Sequence, residues 1–278
     1  MKNRKQRNNR EVLISKSVVV LCFALFGFTL FAQEQEIKKP AYIFIANNQI
    51  ITKEQLITIG DKGLLKGMHK GVSEEKRNEL AAILGEQIGD REFILLIDVF
   101  TEEEKLQREA VAAVDTTPKT KRLPKNREDE LKLNIEDVAS DFTVQMINGE
   151  EITLSKQKGK VVFINYWATW CAPCLMEFAE FPEKILEPLE GEDFVFIAIA
   201  IGEDKEKVAK KMLQMKKYGV DFNVGFDLDS TIWDQYASGA IPKSFILDKN
   251  GVIKYVSIGN TEGNVDKLAL EINRLLKE

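Results

Sequence analysis

Residues 161–177 read V-V-F-I-N-Y-W-A-T-W-C-A-P-C-L-M-E. Val161–Tyr166 is an apolar, partly β-branched run, the pattern of a buried strand. A helix is predicted from about 172 toward Glu187, stopping before Pro188. A strand running through W-C-A-P-C into a helix puts Cys171 at the helix N-terminus. There unpaired N–H groups and the positive end of the dipole stabilise a thiolate, lowering a thiol pKa from about 8.5 to roughly 3.5–7.5. Cys174, one turn inside, is shielded yet within disulfide reach of Cys171. One thiolate can attack a partner disulfide and the other can resolve the mixed disulfide. Pro173, with Ala172 between the cysteines, keeps the first turn rigid and lacks an N–H that would be unpaired there.

Outward from this stretch the chain alternates. Phe142–Ile147 and Glu150–Leu154 flank Asn148-Gly149, a strong hairpin signal. Phe194–Ile201 reads as a second buried strand and Lys205–Tyr218 as a helix ended by Gly219. Phe222–Phe226 and a short helix around 230–236 follow. AIPKSFILDKNGVIKYVSI then forms a hairpin turning at 249–251, and an amphipathic helix over about 263–277 closes the chain. Strands separated by helices, then an antiparallel hairpin, imply an α/β fold with a mixed sheet covered on both faces.

Residues 33–100 read as a small α+β domain with no recognisable family. Tyr42–Ala46 is β-like, Thr52-x-x-Gln55 is a capping box, and Ser73 caps a helix running to about Ile88. Glu92–Phe100 is a buried strand. GDKGLLKGMHKG (60–71) reads as loop, and its lone His69 as a solvated loop residue rather than a ligand. Residues 101–136 are a charged linker: the first part extends as a helix, while Thr116–Glu130 has too little apolar content to pack.

The 278 residues (31.6 kDa) are 44% apolar and 30% charged, with a net charge of −5 and three cysteines. That is enough for two modest domains and too few cysteines for a disulfide scaffold. Residues 1–32 join a basic start, an apolar core at Val18–Phe31 and a turn to polarity after Ala32, the layout of a secretory signal peptide. The alternative is an uncleaved anchor through residues 12–31. Cys22, inside this segment, is apolar filler. The leader holds six Lys/Arg and one Glu, so its removal takes −5 to −10. An acidic product without a basic, aromatic-interleaved patch argues against nucleic acid.

The motifs D-F-T-V (141–144), N-Y-W-A-T-W-C-A-P-C (165–174) and G-A-I-P-K-S-F-I-L-D (239–248) carry a resemblance. Residues 137–278 resemble a thioredoxin fold with an N-terminal β-hairpin, in the TlpA/ResA-like branch of exported thiol–disulfide oxidoreductases. The resemblance implies Cys171 as nucleophile, Cys174 as resolving thiol and Pro242 as a cis proline facing them. It implies that Ile241 pairs with substrate backbone and that Trp170, Ala172 and Pro173 line the docking surface. Trp167 is expected to pack beneath, and Trp233 in the core. Cytosolic thioredoxins carry an Asp where this chain has Asn165, a supporting residue. The branch instead often has a Glu three residues after the second cysteine, matched by Glu177, a proton acceptor for Cys174. The branch usually has a proline two residues after this Glu; here it is Ala179, with Pro182 later, so a helix kink is displaced.

This implies a reductant of protein disulfides in the periplasm or cell envelope, fed by a membrane electron donor. The Cys171–Cys174 disulfide is the redox group, with no metal and no other cofactor. Two cysteines are half a zinc site, no P-x-x-x-T/S-x-x-C peroxiredoxin signature occurs, and the downstream His of a copper-delivery protein is lacking. The alternative reading makes residues 33–100 a partner-binding module, with the thioredoxin-like domain secondary or chaperone-like.

Overall fold

The computed structural model describes residues 37, 40–88, 91–114 and 130–278. The expected leader (1–32) and most of the apolar-poor linker (115–129) lie outside the described residues. No described helix is long and apolar enough to cross a membrane.

β1 (Ile43–Ala46) turns into β2 (Gln49–Ile51) through Asn47 and Asn48, both at positive φ (49° and 58°), as a tight two-residue hairpin demands. α1 (Lys53–Asp61) opens with the expected capping box: Gln55 N donates to Thr52 Oγ1, and Thr52 N donates to Gln55 Oε1. β3 (Leu65–His69), α2 (Glu74–Leu84), β4 (Ile94–Val99) and α3 (Glu102–Val114) complete this region. The four strands pair in the order β2-β1-β4-β3, with only β1 and β4 parallel.

Two sequence readings need correction here. The segment 60–71 is not all loop, because Leu65–His69 pairs antiparallel with β4. A strand partner overrides a composition poor in strand formers. His69 therefore lies on a strand, exposed, with Nε2 2.7 Å from Asp98 Oδ2. The Ser73-capped helix also ends at Leu84, where Gly85 (φ 58°) starts a 3₁₀ turn to Ile88. Ile83 is exposed, while Arg77 takes a buried place.

The rest of the chain forms β5 (Thr143–Met146), β6 (Glu151–Thr153), β7 (Val161–Trp167), α4 (Ala172–Phe178), β8 (Phe194–Ile201) and α5 (Lys205–Met215). It continues through β9 (Gly225–Asp227), α6 (Trp233–Tyr236), β10 (Lys243–Leu247), β11 (Ile253–Ile258) and α7 (Asn264–Leu276). Seven strands pair in the order β11-β10-β7-β8-β9-β5-β6, parallel across β7, β8 and β9 and antiparallel elsewhere. This is the expected mixed sheet of a thioredoxin fold with its N-terminal hairpin. Gly149 turns that hairpin at φ 93°.

Strand β7 shows why both faces are apolar. Val162, Ile164 and Tyr166 pack with Trp233 and Tyr236 of α6, while Val161, Phe163 and Trp167 pack with α4, α5 and α7. Period-two alternation puts Asn165 on this second face, among the helices. The predicted helix 172–187 is interrupted. Pro182 has no N–H to donate to Phe178, so α4 stops there and a π-helical turn, Pro182–Leu186, follows.

Residues 37–278 make one compact unit. Phe93, just before β4, is fully buried among Trp167, Phe178 and Tyr218, edge-on to Tyr218 at 5.0 Å. Burying such a ring contributes about 2 kcal/mol. The four-stranded sheet is thus packed against the seven-stranded part rather than hung from it.

Candidate active site

Cys171 is the N-cap of α4 and is joined to Cys174 in a disulfide, with the Cα atoms 5.3 Å apart. The Cys174 amide donates to Cys171 Sγ at 3.3 Å, so the first cysteine sits where the helix offers its unpaired N–H groups. A reduced Cys171 gains from that end of the dipole, whereas Cys174 is inside the helix and completely buried.

One turn further, Glu177 is 1% exposed. Its Oε1 accepts from Asn264 Nδ2 at 2.7 Å, and Asn264 Oδ1 in turn accepts from Ser257 Oγ at 2.6 Å. Oε2 has no hydrogen-bond partner among the described residues. Burial pushes the carboxyl up to about 8, against the smaller downward pull of the Asn264 and Asn165 amides. Asn165, fully buried, also donates from Nδ2 to Ser244 Oγ of β10 at 2.9 Å. Strand alternation on β7 and the first residue of α7 thus bring two amides to one carboxyl, and no cation among the described residues lowers it.

The Ile241–Pro242 peptide is cis. Gly259 N donates to Pro242 O at 2.8 Å, and the neighbouring Asn260 donates from Nδ2 to Pro173 O at 3.1 Å. The cis-proline turn is therefore tied to the Ala172-Pro173 dipeptide through two consecutive residues. From behind, the fully buried Lys243 donates to Glu130 Oε2 at 2.9 Å and to Ser238 O at 2.8 Å. Glu130 also accepts from Ala240 N at 3.1 Å. Gly239 is at φ 76°, and a Cβ there would stand 2.2 Å from the Glu130 carboxyl carbon. Only glycine allows this approach.

On the other flank, Thr169 is clamped at both backbone groups. Glu203 accepts from its N–H and its hydroxyl, each at 2.6 Å, and Arg77 of α2 donates from Nη2 to its carbonyl at 3.2 Å. Arg77 and Lys211 share Glu92, all three buried. Trp170, next in the chain, is 41% exposed.

The structure gathers Cys171, Ala172, Pro173, Cys174, Glu177 and Asn165, and links Pro242 and its half-buried neighbour Ile241 to them. Trp167 lies apart in purpose: it is buried against the Phe178 ring at 4.7 Å. Sequence reasoning missed Asn264, Lys243, Glu130, Glu203 and Arg77, all polar residues whose partners are distant in the chain. Only Lys243 carried a signal, as a charge inside an apolar strand run. Among the described residues no three of His, Cys, Asp and Glu cluster as a metal site would require.

The profile of the AhpC/TSA family matches residues 135–256. The thiol-disulfide oxidoreductase ResA of Bacillus subtilis is 35% identical over 128 residues, covering 46% of this chain and 69% of the relative. ResA of Bacillus anthracis is 37% identical over 131 residues, covering 47% of this chain and 73% of the relative. Among solved structures, a candidate protein disulfide isomerase from Bacteroides thetaiotaomicron overlays 54% of this chain and 94% of its own. That overlay has a TM-score of 0.50 at 30% identity. With identities above 30% over more than two thirds of these relatives, this chain belongs to the ResA family of thioredoxin-fold thiol–disulfide oxidoreductases.

Proposed function

We propose that the enzyme reduces protein disulfides outside the cytosol through Cys171 and Cys174. The observation that carries this reading is the asymmetry of the pair: Cys171 caps α4, while Cys174 lies inside the helix, one turn from a carboxyl raised to about 8. The Cys171 thiolate attacks one sulfur of a substrate disulfide. That bond breaks, a mixed disulfide forms, and the released substrate thiolate takes a proton from solvent. Cys174 then gives its proton to Glu177 in its ionised form, the form that takes over as the pH rises through about 8, and attacks Cys171 Sγ. The Cys171–Cys174 disulfide forms and the second substrate thiolate leaves. A dithiol donor outside the chain, at the membrane in this reading, restores the pair.

A carboxyl raised to about 8 lies close enough to the thiol range for the proton of Cys174 to pass to it. Ile241 and Trp170 receive the substrate on the two sides of the disulfide, with Ala172 and Pro173 between them. Asn165 supports Glu177, and Trp167 supports the strand. The basic and apolar start of the chain supports a place in the periplasm or cell envelope, with a cleaved leader (1–32) or an anchor through 12–31. Residues 33–100 and 137–278 are its two domains, joined by 101–136. No cofactor beyond the disulfide enters the cycle.

Cys174→Ser tests the cycle. The variant should accumulate mixed disulfides with its partners through Cys171 and turn over at least about 10³-fold more slowly. An absence of trapped partners would sink the mechanism. The equilibrium potential against glutathione tests the direction. A value near that of a strong oxidant, about −120 mV, would overturn the reductant reading.

A further inference from the structure

Cys171 is only 2% exposed, although it sits on a turn at the start of a helix. The cover includes the N-terminal region. Gly71 and Cys171 form an antiparallel β-bridge, and Ala172 N donates to Lys70 O at 3.2 Å. The approach is so close that a Cβ on Gly71 would stand 2.3 Å from Trp170 O and 2.8 Å from the indole Cε3. Lys70–Val72 has no slack. It spans three residues between β3 and the Ser73 cap of α2, and Val72 is buried in the core of the small sheet.

The segment is also pinned. Arg77 holds the Thr169 carbonyl, the buried Arg77–Glu92–Lys211 cluster ties α2 to α5, and Glu74 meets Lys210 at 2.6 Å. The same region reaches the Glu177 side. Burial and then the Glu177 and Glu180 carboxylates push Tyr42 up to about 12. A strap that opened freely would not be anchored through buried ions at one end and a buried valine at its tip.

We infer that Lys70–Val72 is a fixed wall beside the nucleophile that selects substrates by shape. Thiol–disulfide exchange needs the incoming sulfur in line with the bond it breaks, and the wall closes one side of that approach. What remains is the rim between Trp170 and the Ile241–Pro242 turn. A disulfide carried on an extended or unfolded polypeptide, or a small-molecule disulfide, fits this rim. A disulfide set in the surface of a folded domain does not. The inference rests on Cys171 being the attacking sulfur.

The test uses the reduced full-length protein. Cys171 is alkylated with N-ethylmaleimide and with a polyethylene-glycol maleimide, each rate being read by peptide mass mapping relative to an exposed cysteine peptide. The large reagent should fall behind the small one by about tenfold or more, equivalent to 1.4 kcal/mol of barrier. Gly71→Ala, which must push the segment off Trp170, should close most of that gap. Equal relative rates for both reagents on the native chain would overturn the wall, whether or not the variant folds. Turnover of oxidised glutathione and of a folded disulfide protein separates the two claims. Reduction of neither sinks the oxidoreductase cycle, whereas equal reduction of both sinks only the wall.

Discussion

Two buried glutamates show how the same side chain becomes two different devices. Glu92 lies between Arg77 and Lys211, so two cations compensate its burial. Glu177 lies buried beside two amides with one carboxylate oxygen unpartnered, and burial holds it neutral until about pH 8. Removing water from a carboxylate costs several kcal/mol unless charge or hydrogen bonds replace it. With cations at hand the group is ion-paired on both sides and serves as a latch between the two sheets. Without them it keeps a proton that it can exchange with a neighbouring thiol.

Breaking the latch should have the largest effect. Glu92→Gln leaves Arg77 and Lys211 facing each other in the interior, and stability should fall by about 3–5 kcal/mol in denaturant titrations. A loss below about 1 kcal/mol would mean that water already screens the cluster. Next comes Glu177→Gln, which keeps the shape and removes the proton carrier. Turnover should drop by about 10²-fold, equivalent to 2.7 kcal/mol, with the fold intact by circular dichroism.

The same variant checks the pH dependence. Glu177 has a folded value of about 8 against an ordinary 4.5, so the neutral form is favoured by folding. That contribution is complete below 4.5 and is lost as the pH rises through about 8. Wild-type stability should therefore decline across this window by up to about 5 kcal/mol, and Glu177→Gln should flatten that slope. A parallel decline in both proteins would reassign the effect to other groups.

Asn264→Ala sharpens the contrast by removing the donor that opposes the upward shift of Glu177. The midpoint of the pH–rate profile should move up by about one unit, with a smaller change in the plateau. A downward shift would contradict the assigned hydrogen bond. The exposed Lys210–Glu74 pair sets the floor. Lys210→Ala should change stability by less than about 1 kcal/mol, because solvent screens it.

Much of the redox half was legible in the sequence alone. V-V-F-I-N-Y, the position of Cys171 at a helix start, Asn148-Gly149 and the closing amphipathic helix are local patterns, and each formed where expected. The bounds that moved are those where a distant partner competes with local preference. Leu65–His69 became a strand because β4 offered a ladder. The helix after Cys174 broke where Pro182 lacked a donor, a rule visible in the sequence but acting six residues before the stop at Pro188.

By itself the sequence determined that two cysteines spaced by Ala-Pro would sit one turn apart at a helix start with a glutamate one turn deeper. Helical geometry needs only neighbours along the chain for that. Tertiary structure alone decided what surrounds them. It set Asn264 and Asn165 against Glu177, Lys243 on Glu130 behind the cis proline, and Gly71 against Trp170 and Cys171. These contacts join residues far apart in the chain. Burial, charge compensation and steric access depend on packing, which local sequence does not encode.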